Sequence, residues 1–468
     1  MTREAVLPHP DARLVDAATG TVLEGSLLAG AVAAAAERYA ALPPGPVLAL
    51  MPTRLPAVVA YLGAFTARRP VALLDPTLPA DTLADLVARY RPTVVTGVEA
   101  RADAAPPPGY SRVELPGLGA AWQGDGFPDV HPDLGLLLAT SGSTGSPRMV
   151  RLPRRGVLHN VAVVAETLGI DGDEVTVTSL PLYYTYGLTV LNTHLSQGAT
   201  VVLDDRGLLD RGFWETVAEH KVTSLAAVPY QYEMLRRLGF DPWKYPALRT
   251  LTQAGGRLRD ALVLDFHRRM SDAGGQLIVM YGQTEAGRMA ILPPQRLPEK
   301  LGSAGVAIPD GRFTVAPGPE GAADGIGEIH YHGPNVMLGY ARAAEDLARG
   351  DELGGTLATG DIGRVDSEGF LFLSGRTRRF GKVFGVRVSL SDIERMLEHR
   401  GAVAAVAGDD RIVVWVEGAA ADARAEIRRE LSERIGVHAS GFDVRDIPEL
   451  PLLPNGKVDY QTLTELAR

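Results

Sequence analysis

The sequence predicts an α/β protein: a large N-terminal domain of layered α/β subdomains with a small β-rich subdomain, followed by a small α+β C-terminal domain. Three observations carry that expectation. From Pro46 short apolar runs alternate with amphipathic stretches, after about Gly302 the texture changes to short strands broken by Gly and Pro, and from Gly375 helical patterns and a hairpin take over. These breaks divide the 468 residues into an N-terminal domain over 1–374 and a C-terminal domain over 375–468.

The elements follow in order. Residues 27–42 are Ala-rich with Glu37 and Arg38 inside, and they fall short of the ~20 apolar residues of a membrane span, so they read as a packed helix. Residues 47–50, a helix over 55–66, residues 71–74, a helix near 83–90 and Val94-Val95 give a β-α-β-α-β rhythm. Continuous apolar runs suit parallel strands covered by helices on both faces. Residues 104–109, with three prolines, form a loop. The rhythm restarts at Leu134 and runs through 175–177, 200–203 and 225–228, which predicts a second α/β layer. Residues 313–315, 327–331 and 369–373 are the strands of the β-rich subdomain. Beyond Gly375 come a helix over 391–398, a hairpin of 403–407 and 412–416 across Asp409-Asp410, and a helix with Ala423, Ile427, Leu431 and Ile435 on one face. The tail after Gly441 reads as loop.

Composition excludes several function classes. Lys and Arg number 47 against 56 Asp and Glu, a net charge of −9, so no global positive field recruits nucleic acid or an anionic membrane, and any polyanion must be held locally. Cysteine is absent, which removes disulfides, thiolate nucleophiles, Cys-ligated zinc and iron–sulfur clusters, and suits a reducing cytoplasm. The first 25 residues show no secretory pattern. The 52 glycines cluster, and the clusters hold the chemistry.

The sharpest cluster follows the apolar run from Leu134: Thr140, Ser141, Gly142, Ser143, Thr144 and Gly145, then Arg148. Successive amides and hydroxyls in such a turn can wrap phosphate oxygens. The spacing is neither that of a Walker loop nor that of a hydrolase elbow, and a plain Ser/Gly surface loop is the alternative. Met280-Tyr281-Gly282-Gln283-Thr284-Glu285 ends another apolar run. It offers a ring for a purine, a hydroxyl for a phosphate and a carboxylate for magnesium, although a strand followed by a Gly turn and a helix-capping Thr has the same pattern. Thr359-Gly360-Asp361 places an Asp on a turn where it can accept from a ribose diol, and Ser374-Gly375-Arg376 supplies a donor to the same sugar. Lys382, Gly385 with Arg387, and Pro454-Asn455-Gly456-Lys457 follow; a lysine beside Asn-Gly is by default a solvated one.

In this order and spacing the motifs resemble the adenylate-forming superfamily: acyl-CoA and aryl-CoA synthetases, adenylation domains of nonribosomal peptide synthetases, and luciferases. The resemblance runs from the α/β repeats after Pro46 to Lys457. It implies that a carboxylate attacks the α-phosphate of ATP, that pyrophosphate leaves, and that a thiol or an amine captures the acyl-adenylate. It also implies that Thr140, Ser141, Ser143, Thr144 and Arg148 hold the β- and γ-phosphates. By the same resemblance Tyr281 packs on adenine in a slot lined by Gly255 and Gly256, Thr284 bonds the α-phosphate, Glu285 positions Mg2+, and Asp361 and Arg376 hold the ribose. Lys457 bridges the attacking carboxylate and the phosphate as the catalytic residue of adenylation.

The resemblance also implies that the C-terminal domain is mobile about a hinge at Arg378, which turns residues 382–387 inward, with Lys382 and Gly385 on the thiol-acceptor side. Two positions depart from many relatives: Arg148 stands where Lys is common and Arg378 where Asp is common. Pro181 to Leu188 matches the stretch lining the acyl pocket, with Tyr184, Tyr186 and Gly187. In the superfamily resembled, amino-acid-activating domains usually place an Asp near Thr185 to pair the substrate's ammonium; none stands there, so the resemblance favours an aryl or acyl acid over a free α-amino acid, although the tyrosines also suit ordinary packing. His194 reads as a satisfied core histidine. The expected function is activation of a small carboxylic acid followed by transfer to CoA or a carrier-protein phosphopantetheine, without nucleic acid or membrane partners. Amide-forming ligation and a non-catalytic nucleotide-binding relative are the competing readings.

Overall fold

The computed structural model describes residues 5–99, 105–125, 128–139, 148–317, 325–376, 379–384, 386–408 and 411–467. The chain divides into two compact units: Met1–Leu301, Gly305–Arg312 and His332–Leu357 form one, and Gly302–Ala304, Phe313–Tyr331 and Ala358–Arg468 the other. The architecture is mixed α/β, as the sequence predicts.

The first unit is built on two large sheets. In one the strand order is Gly339–Ala341, Met149–Pro153, Leu134–Ala139, Val71–Leu74, Val47–Leu50, Val94–Thr96, Gly119–Gly124, Tyr110–Leu115. Its central strands Val47–Leu50, Val71–Leu74 and Val94–Thr96 pair in parallel and are buried at every residue. Their unbroken apolar runs satisfy both faces at once. The helix Leu55–Thr66 is apolar nearly all round and buried through most of its length, whereas Ala80–Tyr90 buries only Leu83, Leu86, Val87 and Tyr90 at helical spacing.

In the other sheet the order is Val306–Ala307, Gly287–Leu292, Gln276–Gln283, Thr250–Gln253, Ser224–Ala227, Val175–Val177, Thr200–Leu203, Arg13–Asp16, Thr21–Glu24. The strand Val175–Val177 pairs with Thr200–Leu203 on one side and Ser224–Ala227 on the other, so the chain reverses its direction of progress across the sheet there. The helices Arg154–Leu168 and Thr185–Ser196 pack with this sheet around a cluster that includes Val163, Val164, Tyr186, Ala226, Ile278 and Ile291.

The second unit contains a four-stranded sheet (Arg312–Pro317, Gly327–His332, Thr356–Val365, Leu371–Arg376), a ribbon of Phe380–Val383 with Val386–Ser389, and a three-stranded sheet. In the last, Val403–Ala407 pairs antiparallel with Ile412–Glu417, as predicted, and Phe442–Ile447 joins in parallel. The expected loop after Gly441 is therefore a strand and then the helix Tyr460–Ala467. Phe442, Val444 and Ile447 are buried between charged residues, a pattern that stabilises the chain only beside a partner strand. Two smaller corrections follow. Asp361 lies in the strand Thr356–Val365 and not on a turn, after Gly360 at φ +71°, and the third expected β-rich strand begins at Leu371 after a turn. Among the described residues no helix is long and apolar enough to cross a membrane.

Candidate active site

In the larger unit, the site forms where parallel strands end. Ala227, Gln253 and Val279 stand in register, so Gly255-Gly256 and Tyr281-Gly282 leave the sheet at one carboxyl-terminal edge. Open α/β sheets bind ligands at that edge. Gly255 has φ +89°, and a Cβ there would stand 2.7 Å from Tyr184 Oη and 3.0 Å from Val228 Cγ1, so only glycine lets the backbone pass beside Tyr184. Gly256 accepts from Gln253 Nε2 at 2.8 Å.

Tyr281 is half-buried near the end of its strand, opposite Ala290, and accepts from Gln283 Nε2 at 3.2 Å. Thr284-Glu285-Ala286 is the turn joining Gln276–Gln283 to Gly287–Leu292, so Thr284 caps no helix and instead sits at a hairpin tip. Its Oγ1 accepts from Thr185 Oγ1 at 3.2 Å, the first residue of the helix Thr185–Ser196. Glu285 Oε1 accepts from Tyr340 Oη at 2.8 Å, and its carbonyl accepts from Met337 N at 2.8 Å. The ring of Tyr340 lies 3.8 Å from Arg148 Cζ, a cation–π contact. One tyrosine thus gathers the guanidinium after the expected phosphate loop and the carboxylate of the hairpin tip. Thr140, Ser141, Gly142, Ser143, Thr144 and Gly145 lie outside the described residues, as do Arg378 and Gly385.

Tyr184 is half-buried, while Tyr186 is buried and shares a 2.7 Å hydrogen bond with Thr252 Oγ1. Burial raises the pKa of both phenols, so they stay neutral. Gly187 passes over the Pro181 carbonyl, where a side chain would collide. Beside Tyr186 a cavity of about 500 Å³, its mouth included, is lined by hydroxyls, apolar side chains and Arg288, whose Cζ lies 4.8 Å from the Tyr186 ring centroid. His194 lines it too. Its Nδ1 faces the Val190 carbonyl at 2.8 Å, so Nδ1 carries the proton and Nε2 accepts from Ser224 at 3.2 Å. Burial lowers its pKa from 6.5 to about 4, which makes it the satisfied neutral core histidine that was expected.

In the second unit Asp361 and Arg376 are cross-strand partners joined at 2.8 Å through Arg376 Nε. Lys382 is exposed on its ribbon. Lys457 follows a turn closed by Gly456 at φ +74°; its N–H donates to Asn455 Oδ1 at 3.2 Å, and its carbonyl accepts from Leu453 N at 2.8 Å.

For a metal, the hairpin tip offers the carboxylate of Glu285 and the hydroxyl of Thr284. Hard oxygen donors with a single carboxylate suit Mg2+, which keeps waters and takes further ligands from phosphates. Among the described residues no group of three or more His, Cys, Asp or Glu forms a self-sufficient metal cage.

Tyr340 and Arg288 escaped the sequence reading. Arg288 left a signal, a cation inside the apolar run from Gly287 to Leu292; Tyr340 left none, because its place depends on contacts across 55 residues of chain.

The family model described as AMP-binding enzyme matches residues 9–341. The chain is 31% identical over 381 residues to the indoleacetate–CoA ligase of Aromatoleum aromaticum, a match covering 77% of this chain and 73% of that one. It is 32% identical over 355 residues to the sulfoacetate–CoA ligase of Cupriavidus necator, covering 71% and 67%. In fold it resembles ATP-bound MatB from Rhodopseudomonas palustris, with TM-score 0.79 and 21% identity over 98% of this chain and 97% of the other. Motif order, fold and these matches agree, and the chain belongs to the AMP-binding enzyme family, the adenylate-forming enzymes its motifs resemble.

Proposed function

We propose that this chain activates a small carboxylic acid with ATP and passes the acyl group to the thiol of CoA, with a carrier-protein phosphopantetheine as the related acceptor. A carboxylate oxygen attacks the α-phosphorus, the bond from that phosphorus to the bridging oxygen breaks, and pyrophosphate leaves with the electron pair. The thiol sulfur then attacks the acyl carbon, the acyl–oxygen bond breaks, AMP leaves and the thiol proton passes to solvent. The observation that carries this reading is the hairpin tip: Thr284 and Glu285 stand at the strand edge with Tyr340 and Arg148 against the carboxylate.

Chemistry of this kind needs positioning and charge neutralisation more than covalent help. The loop Thr140 to Gly145 with Arg148 grips the β- and γ-phosphates, Tyr281 with Gly255 and Gly256 walls the adenine, and Thr284 bonds the α-phosphate. Asp361 and Arg376 hold the ribose. Glu285 holds Mg2+, which supplies neutralisation of phosphate charge when bound. Lys457 bridges two anions that otherwise repel. The segment 375–468 moves about Arg378 between the half-reactions, bringing Lys382 and Gly385 to the thiol. A cysteine-free chain suits the cytoplasm as the place of reaction.

The test is acid-dependent pyrophosphate release over panels of aryl, fatty, dicarboxylic and amino acids, followed by product analysis with CoA, a carrier protein and amines. Release with a CoA thioester as product is expected. An amide as the sole product would redirect the second step, and ATP binding without turnover over every panel would remove the reading.

A further inference from the structure

We propose that Arg288 is the counter-charge for a second anionic group on the acid, so that the substrate is a carboxylic acid bearing a further carboxylate, sulfonate or phosphonate remote from the reacting carboxyl. This rests on the acid-ligase reading above and names its substrate class.

Among the described residues of the larger unit three arginines are deeply buried: Arg69, Arg151 and Arg288, at 8%, 0% and 4% exposure. The first two are engaged through their guanidinium ends, although the Nε of Arg151 is, like that of Arg288, sealed from solvent without a partner. Arg69 donates to the carbonyls of Tyr39, Leu42, Pro43 and Gly45. Arg151 donates to the carbonyls of Leu338, Arg349 and Gly350 and stands 3.4 Å from Glu352. Among the described residues the Arg288 guanidinium has neither an ion pair nor a hydrogen bond, and its Nε is sealed from solvent without a partner. What it touches is the face of Tyr186. A guanidinium cannot escape burial by losing its proton, and a ring face offsets only part of the cost of stripping its water.

The arginine is held there by construction. Its N–H donates to Asn160 Oδ1 at 3.1 Å, and its carbonyl accepts from Asn160 Nδ2 at 2.8 Å and Asn335 Nδ2 at 3.2 Å. Gly287 before it has φ +64°, and a Cβ there would stand 2.6 Å from Asn160 Oδ1. The backbone is thus fixed, and the side chain lines the cavity beside Tyr186 together with Thr189, Thr252, Ser224 and His194.

Among the described residues lining that cavity, none neutralises it. Tyr184 and Tyr186 stay phenols, and His194 stays neutral. The one carboxylate among the lining residues, Glu174, is engaged by Thr223 Oγ1 and by Arg249 at 3.4 Å. The cavity therefore keeps an unmatched positive charge. A fatty or simple aryl acid would leave it so, and the ammonium of an amino acid would be repelled. An anionic terminus receives a fork of donors with hydroxyls around it. The reacting end lies on the same hairpin, since Thr284 precedes Arg288 by four residues and touches Thr185, the neighbour of Tyr186.

The experiment compares matched acids on the full-length wild type, Arg288→Met and Arg288→Lys: adipate with hexanoate, 4-sulfobutyrate with pentanoate, 4-phosphonobutyrate with pentanoate, and terephthalate with 4-methylbenzoate. Two readouts are taken, acid-dependent ATP–pyrophosphate exchange and the shift in melting temperature caused by the acid alone. We expect at least one dianionic acid to exceed its neutral partner by roughly 100-fold in kcat/KM, Arg288→Met to abolish or reverse that ratio, and Arg288→Lys to keep part of it. The same acid raises the melting temperature of the wild type and not of Arg288→Met, and the melting temperature of each unliganded variant controls for folding. Wild-type preference for the neutral member of every pair, or a dianion preference that survives Arg288→Met, overturns the proposal while leaving the ligase reading standing. An Arg288-dependent thermal shift with no exchange from any acid does the reverse, and the absence of both signals removes both.

Discussion

Replacing Tyr340 with Phe deletes one hydroxyl and keeps the ring on which Arg148 rests. The substitution removes the hydrogen bond that Tyr340 Oη donates to Glu285 Oε1 at 2.8 Å. Hydrogen bonds to charged groups contribute about 1.5–3 kcal/mol, and since both residues are only half-buried, solvent screening brings the figure to about 1–2 kcal/mol. At about 1.4 kcal/mol per factor of ten, the carboxylate of Glu285 loses roughly 5- to 30-fold in its preference for the geometry proposed to hold the metal. The expected result is a rise of that size in the magnesium concentration giving half-maximal pyrophosphate release, with the rate at saturating magnesium reduced less. The assay is pyrophosphate release at saturating ATP and acid over a magnesium titration, with the melting temperature as control. An unchanged magnesium curve in a variant that folds normally refutes the argument that Tyr340 sets the carboxylate.

Further outcomes are expected. Lys457→Ala lowers acid-dependent pyrophosphate release by about 10²-fold or more, while conversion of a supplied acyl-adenylate to its thioester stays within a few-fold; equal losses in both halves contradict the assigned role. Gly255→Ala forces a Cβ against Tyr184 Oη at 2.7 Å in a left-handed backbone, so the KM for ATP rises at least 10-fold while the secondary structure seen by circular dichroism is retained; wild-type kinetics contradict the close approach. His194 has a folded pKa of about 4 against 6.5 when unfolded, so the unfolded chain binds the extra proton between these values. Stability then falls as pH drops from about 6.5 to about 4, by up to roughly 3 kcal/mol from this group. His194→Asn flattens that part of the thermal-midpoint profile, and identical profiles would show that the imidazole titrates normally.

What the sequence made legible is what is encoded locally. The central strands announce themselves because Val47–Leu50 and Val71–Leu74 are apolar at every position, and Ala80–Tyr90 because its buried residues recur at helical spacing. Phe442–Ile447 was illegible because its charged residues look like loop until Ile412–Glu417, with a whole helix between them in the chain, supplies the ladder. Thr284 reads in the sequence as a helix-capping residue, and the antiparallel pairing of Met280 with Ile291 makes it a hairpin tip instead. In the site the motif residues stood out by type and spacing. Tyr340 did not, because a tyrosine after a glycine says nothing until the pairing of Gly339–Ala341 with Met149–Pro153 carries it to Arg148.

The bracing of residue 288 by Asn160 acts on the peptide unit and is indifferent to what hangs from it. Exchanging that side chain is therefore expected to leave the path of the chain between Thr284 and the following strand as it is, so the lining of the cavity beside Tyr186 can change while the proposed nucleotide end stays in register. A position held through its peptide unit by the side-chain amides of Asn160 and Asn335 can change its side chain without moving the hairpin.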